Sequence, residues 1–139
     1  MSDKCFVDTN ILVYAHDFKQ GAKHERARAL IAKLWDSGDG VLSTQVLQEL
    51  CISLRRKVAR PLSTEATRQL IEDYSSWEIV VNTAESVVQA LDLETRYKIS
   101  FWDALIVQAA MKSGAGLLYS EDLADRQSYG AVRVVNPLK

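Results

Sequence analysis

Apolar residues come along this chain in short blocks whose spacing alternates between the period of a strand and that of a helix. Residues 4–7 are rich in β-formers and run directly into residues 10–15, which close a first helical turn. Residues 22–35 carry Ala27, Leu30, Ile31 and Leu34 at helical spacing with Lys and Arg between them, and the turn Ser37-Gly38-Asp39-Gly40 ends that helix. A short strand is expected at 41–43. From Thr44 the apolar positions Val46, Leu47, Leu50, Cys51 and Leu54 return to helical spacing and close at the basic segment 55–60, before Pro61. Ser63 caps another helix, to about Tyr74, followed by a strand at 77–81. Thr83 starts a helix fading by Tyr97, and Ser100 opens a strongly apolar one running through Met111 to the stop at Ser113-Gly114. Strands at 117–120 and 132–135 complete the pattern. Short strands, apolar on both faces and alternating with helices, predict an α/β fold: a three-layer α/β/α sandwich around a mainly parallel sheet of four to five strands.

One interruption breaks the pattern. Asp8-Thr9-Asn10 stands between the apolar runs Cys5-Phe6-Val7 and Ile11-Leu12-Val13, and a buried carboxylate without a partner is expensive. In parallel sheets ligands gather beyond the carboxyl ends of the strands, where strand order reverses. Asp8 ends the first strand and Asp122 follows the fourth, so neighbouring placement of these strands puts both acids at that edge. Right-handed crossovers bring Asp103 there too, and Glu49 reaches it if its side chain points inward.

Each acid also has a plainer reading. Asp8 is a good helix cap, Glu49 lies at the margin of an apolar stripe, Ser100 and Asp103 stand at capping-box spacing, and Glu121 and Asp122 suit a turn. Together, four acids on one edge repel one another, a cluster tolerated when a divalent cation neutralises it. Oxygen-only ligands point to Mg²⁺ or Mn²⁺, and neither His16, His24 nor the two cysteines form a zinc pattern.

Composition adds limits. At 139 residues the chain fits one domain, 1–139, and 47% hydrophobic with 25% charged residues is ordinary for a globular protein. Seventeen basic against eighteen acidic residues leave a net charge of -1, so nucleic-acid binding would have to come from a local patch. The densest is Arg55, Arg56, Lys57 and Arg60, placed to hold an RNA backbone or simply solvated at a helix carboxyl end. Tyr14, Phe18, Trp35 and Trp77 read as core or partner surface more than as base-stacking platforms. The first six residues are too short and charged for a signal sequence, and no apolar run approaches the roughly 20 residues of a membrane helix. A cytoplasmic protein is expected, with Cys5 and Cys51 as small core residues and no disulfide.

Phe6-Val7-Asp8-Thr9-Asn10-Ile11, Glu49 in a helix after Leu42-Ser43, Phe101-Trp102-Asp103-Ala104-Leu105-Ile106, and Leu118-Tyr119-Ser120-Glu121-Asp122-Leu123 followed by Val134-Val135-Asn136-Pro137 resemble the PIN-domain ribonucleases, most nearly the VapC-type toxins of bacterial toxin–antitoxin modules. The resemblance spans nearly the whole chain, in order. It implies a catalytic, metal-holding quartet of Asp8, Glu49, Asp103 and Asp122, with Thr9, Asn10 and Ser120 as supporting or phosphate-contacting groups. It further implies Mg²⁺ (or Mn²⁺) as cofactor, hydrolysis of single-stranded or loop RNA to a 5′-phosphate and a 3′-hydroxyl, a homodimer, and a cognate antitoxin whose helix blocks the site. The rival from another class is a non-catalytic PIN-like scaffold that binds RNA or protein. A haloacid-dehalogenase-like phosphatase ranks lower because Asn10 stands where Asp-x-Asp needs its second acid, and dinucleotide binding lower still for want of a glycine-rich loop. Sequence alone leaves open the RNA target, the number of metals and whether Glu121 shares the work of Asp122.

Overall fold

The structure is a computed structural model and describes residues 2–139. Met1, with which both the expected leaderless start and the expected single domain begin, lies outside the described residues. The chain runs β1 (Cys5–Val7), α1 (Thr9–Ala15), a 3₁₀ turn (Phe18–Gln20), α2 (Ala22–Ser37), β2 (Gly40–Ser43), α3 (Thr44–Arg56), α4 (Thr64–Tyr74), β3 (Glu78–Val80), α5 (Ala84–Tyr97), α6 (Phe101–Ser113), β4 (Leu117–Tyr119), β5 (Ser128–Tyr129) and β6 (Val132–Val135). Local chemistry sets these boundaries. Asp8, Ser43, Ser63, Thr83 and Ser100 each N-cap a helix with a side-chain oxygen, and Gly38 and Gly114 end α2 and α6 in the left-handed conformation that glycine adopts without a Cβ clash.

The sheet has the order β3-β2-β1-β4-β6-β5. All pairs are parallel except the β5–β6 hairpin. From β1 the chain steps outward to β2 and β3, then returns to lay β4 on the other side of β1. Right-handed crossovers in these opposite directions must pass over opposite faces. The helices accordingly pack in two sets, α1 to α4 with one another and α5 with α6. This is the expected sandwich, with one addition: β5 is a two-residue strand, too short to register as a periodicity, and it makes the sheet six-stranded.

The main core is built from both faces of the central strands, including Phe6, Val7, Val41, Leu42, Leu118 and Val134, against Ile11, Leu12, Ile31, Leu50, Leu54 and Val107 from the helices. Helix α3 ends at Arg56, so the rest of the basic segment leaves the helix. Cys5 and Cys51 are free thiols and partly buried; Cys5 packs against the main core as expected, whereas Cys51 on α3 does not. No helix among the described residues is long and apolar enough to cross a membrane.

Candidate functional site

Strand order reverses between β1 and β4, and the polar interruption of the sequence sits at that point. The backbone N–H of Asp8 donates to the Tyr119 carbonyl at 2.9 Å, so the residues that leave β1 and β4 emerge side by side. Asp8 is 6% exposed. One carboxylate oxygen caps α1, accepting from the Thr9 N–H at 2.7 Å, while the other accepts from Ser120 Oγ at 2.8 Å. The capping reading of Asp8 is therefore correct and incomplete, because the second oxygen is held by a residue 112 positions away.

The other two residues of the interruption also hold acids. Thr9 Oγ1 donates to Glu49 Oε1 at 2.6 Å, and Asn10 Nδ2 donates to Asp122 Oδ2 at 2.9 Å. Glu49 points inward from α3, a turn and a half beyond its start. Asp103 stands in the first turn of α6, where its N–H donates to the capping Ser100 Oγ at 3.1 Å. All four acids line one open cleft of about 750 Å³, together with Thr9, Asn10, Gln45, Gln48, Ile52 and Trp102. Ser120 lies beneath, fully buried, and its Oγ also accepts from the N–H groups of Asp122 and Leu123.

Electrostatics mark this cleft as short of positive charge. Burial pushes the Asp8 carboxyl up to about 7, against the lowering effect of the Ser120 and Thr9 hydrogen bonds, and the fields of Glu49 and Asp103 add to the rise. Asp103 is raised chiefly by burial, then by Asp122 and Glu49. Every partner holding the quartet is a neutral donor. The ion pairs among the described residues join Lys4 to Glu78, Lys23 to Glu121, Arg68 to Glu72 and Lys139 to Asp125, and none includes a quartet acid.

Of the basic segment, only Lys57 lines the cleft. Arg55 Nε donates to the Cys51 carbonyl of its own helix, Arg60 stacks over Phe18 at 5.2 Å, and Arg56 is exposed and does not line the cleft. Of the aromatics read as core or partner surface, Trp77 is core and Phe18 and Trp35 are exposed. Tyr14 donates its hydroxyl to Glu121. Of the further lining residues Gln45, Gln48, Ile52 and Trp102, only Trp102, beside Asp103, belongs to a motif visible in the sequence. Besides the quartet and Glu121, the cleft wall carries a buried sixth acid, Asp17, satisfied by Gln20 Nε2 and the Ala59 N–H.

The sequence profile of the PIN domain matches residues 5–126, nearly the whole chain and all four acids. This protein belongs to the PIN-domain family. No curated protein matches it significantly by sequence. Among solved structures, this PIN domain is similar to VapC20 of Mycobacterium tuberculosis, described as a toxin that cleaves the sarcin–ricin loop, with a TM-score of 0.67 and 24% identity over 86% of this chain and 90% of that one. It is also similar to a toxin–antitoxin complex from Klebsiella pneumoniae (TM-score 0.70, 18% identity, 96% and 98% covered) and to DNA-bound VapBC from Salmonella typhimurium (0.62, 17%, 96% and 97%). At these identities the likeness is one of fold.

The donor set of this PIN domain suits a hard divalent cation in chemistry, since it offers carboxylate oxygens backed by hydroxyl and amide groups and contains no thiolate or imidazole. Its geometry is open. Among the described residues no three His, Cys, Asp or Glu side chains are gathered as a ready-made cage.

Proposed function

We propose that this protein is a Mg²⁺-dependent endoribonuclease that hydrolyses RNA phosphodiester bonds as the toxin of a toxin–antitoxin pair. The observation that carries the reading is a cleft at the strand-order reversal lined by four carboxylates, one of them pushed up to about 7, with no ion-pair partner for any of them among the described residues. Asp8, Glu49, Asp103 and Asp122 are the proposed ligands and catalytic residues. Bound there, Mg²⁺, or Mn²⁺ in its place, supplies a water of lowered pKa and neutralises charge on the phosphate. Ser120 and Thr9 keep the oxygens of Asp8 and Glu49 in place, and Asn10 does so for Asp122. Lys57 on the cleft wall is the cation best placed to hold an RNA phosphate. An antitoxin partner is proposed from the structural relatives described as toxin–antitoxin complexes. The homodimer and the cytoplasmic location carry over as parts of the same proposal.

The open spacing of the acids favours one second reading, a PIN-like scaffold that binds RNA or protein without cutting. Incubation of the purified protein with a pool of structured RNAs, in Mg²⁺, in Mn²⁺ and in chelator, beside Asp8→Asn, separates the two. Metal-dependent cleavage that falls at least a hundredfold in the variant is the expected outcome. Intact RNA in every arm, or cleavage equal in chelator, would sink the nuclease reading.

A further inference from the structure

Glu121 is next to Asp122 at the mouth of the cleft, yet both its oxygens are already engaged. Oε1 accepts from the Tyr14 hydroxyl at 2.7 Å, and Oε2 pairs with Lys23 Nζ at 2.7 Å. Lys23 also lies over the Tyr14 ring, 5.2 Å from its centre. The backbone N–H of Glu121 donates to Asn10 Oδ1 at 3.3 Å, and the amide group of the same Asn10 donates to Asp122 at 2.9 Å. The loop after β4 is thus tied to α1 through Tyr14 and Asn10 and to the start of α2 through Lys23. It needs such ties. Asp122 is exposed, belongs to neither helix nor strand, and faces Asp103 across the cleft, so rotamer freedom and like-charge repulsion both draw it outward.

We propose that Glu121 is a positioning residue and not a metal ligand: with Tyr14 and Lys23 it forms a clamp that holds the β4 loop so that Asp122 faces the other three acids. This rests on the metal-dependent reading of the cleft. The Lys23–Glu121 pair is part-exposed, so its worth to global stability is small. What it sets is the direction of a neighbouring carboxylate, and outer groups of that kind govern metal affinity.

The two roles predict opposite signs for one variant. If Glu121 were a ligand, Lys23→Met or Tyr14→Phe would free its carboxylate and leave Mn²⁺ binding unchanged or tighter. If Glu121 clamps, both variants weaken it. Mn²⁺ affinity, read without RNA by water-proton relaxation, would be compared among the wild type, Lys23→Met, Tyr14→Phe and Glu121→Gln, with a thermal melt of each. The expected result is about fivefold weaker binding in all three variants, below the roughly 10–100-fold usual for loss of an outer partner because this one is part-exposed, with melting temperatures nearly unchanged. Wild-type affinity or better in Lys23→Met and Tyr14→Phe would overturn the clamp alone. A wild type that binds no Mn²⁺ would overturn the metal reading beneath it.

Discussion

A carboxyl group raised to about 7 by burial has a direct thermodynamic consequence at Asp8. Its value in the unfolded chain is near the ordinary ~3.9, so between about pH 4 and pH 7 the folded state holds a proton that the unfolded state has released. Stability from this group is therefore fully present below pH 4 and is lost as pH rises through 7, provided no cation is bound. Asparagine keeps the Thr9 N–H bond through Oδ1 and carries no charge, although its amide group meets a Ser120 Oγ that already accepts two N–H groups. Asp8→Asn is thus expected to melt higher than the wild type at pH 8 in chelator, by up to a few kcal/mol at ~1.4 kcal/mol per pKa unit, with the gap closing near pH 4. Thermal unfolding across that range checks the sign. A gap between variant and wild type that stays constant from pH 4 to pH 8 would show that Asp8 ionises freely in the fold. Its neighbours Thr9 and Asn10 explain why the interruption is three residues long: each side chain holds a different acid.

Among the elements, β2 is fixed by a close approach that only glycine permits. A Cβ on Gly40 would lie 2.4 Å from two ring atoms of Trp77. The indole cannot step aside, because it packs edge-on against both Trp35 and Tyr74, each with ring centres 5.3 Å away. Gly40→Ala should therefore destabilise by about 1–3 kcal/mol, the usual range for overpacking a filled site. Gly40 pairs with Cys5 at the end of β1 remote from Asp8, so the cleft acids should keep their arrangement. Denaturant unfolding measures the loss, and a midpoint equal to wild type would mean that the aromatic cluster yields. The helices show how much local chemistry decides: Ser63, Thr83 and Ser100 cap where their positions ahead of apolar stripes say they should. The basic segment shows the limit, since a run of four cations reads as one patch in sequence, but Arg55 and Arg56 stay on the last turn of α3 and only Lys57, at its C-cap, lines the cleft.

For the whole molecule, strand order is the decisive feature. β1 and β4 lie at the centre of the sheet, hydrogen-bonded on both sides, whereas β3 and β5 are its edges. Amide exchange should follow that order, slowest in Phe6, Val7 and Leu118 and fastest in Ser128 and Tyr129, because edge strands open without disrupting the core. Residue-resolved hydrogen exchange tests this, and protection of β5 equal to β1 would contradict the topology. The same order makes the site, by setting Ser120 against Asp8 and Asp122 against Asn10 across 112 residues of chain. By itself the sequence determined the kinds of element, most of their ends and the positions of the polar breaks, because periodicity, caps and turn residues act within a few residues. Tertiary structure alone decided that Glu121 turns to Lys23 and Tyr14, that Lys57 is the cation on the cleft, that Cys51 stays outside the main core and that β5 adds to the sheet. Those outcomes depend on which distant segments share a few ångströms of space, and no local pattern of residues carries that distance.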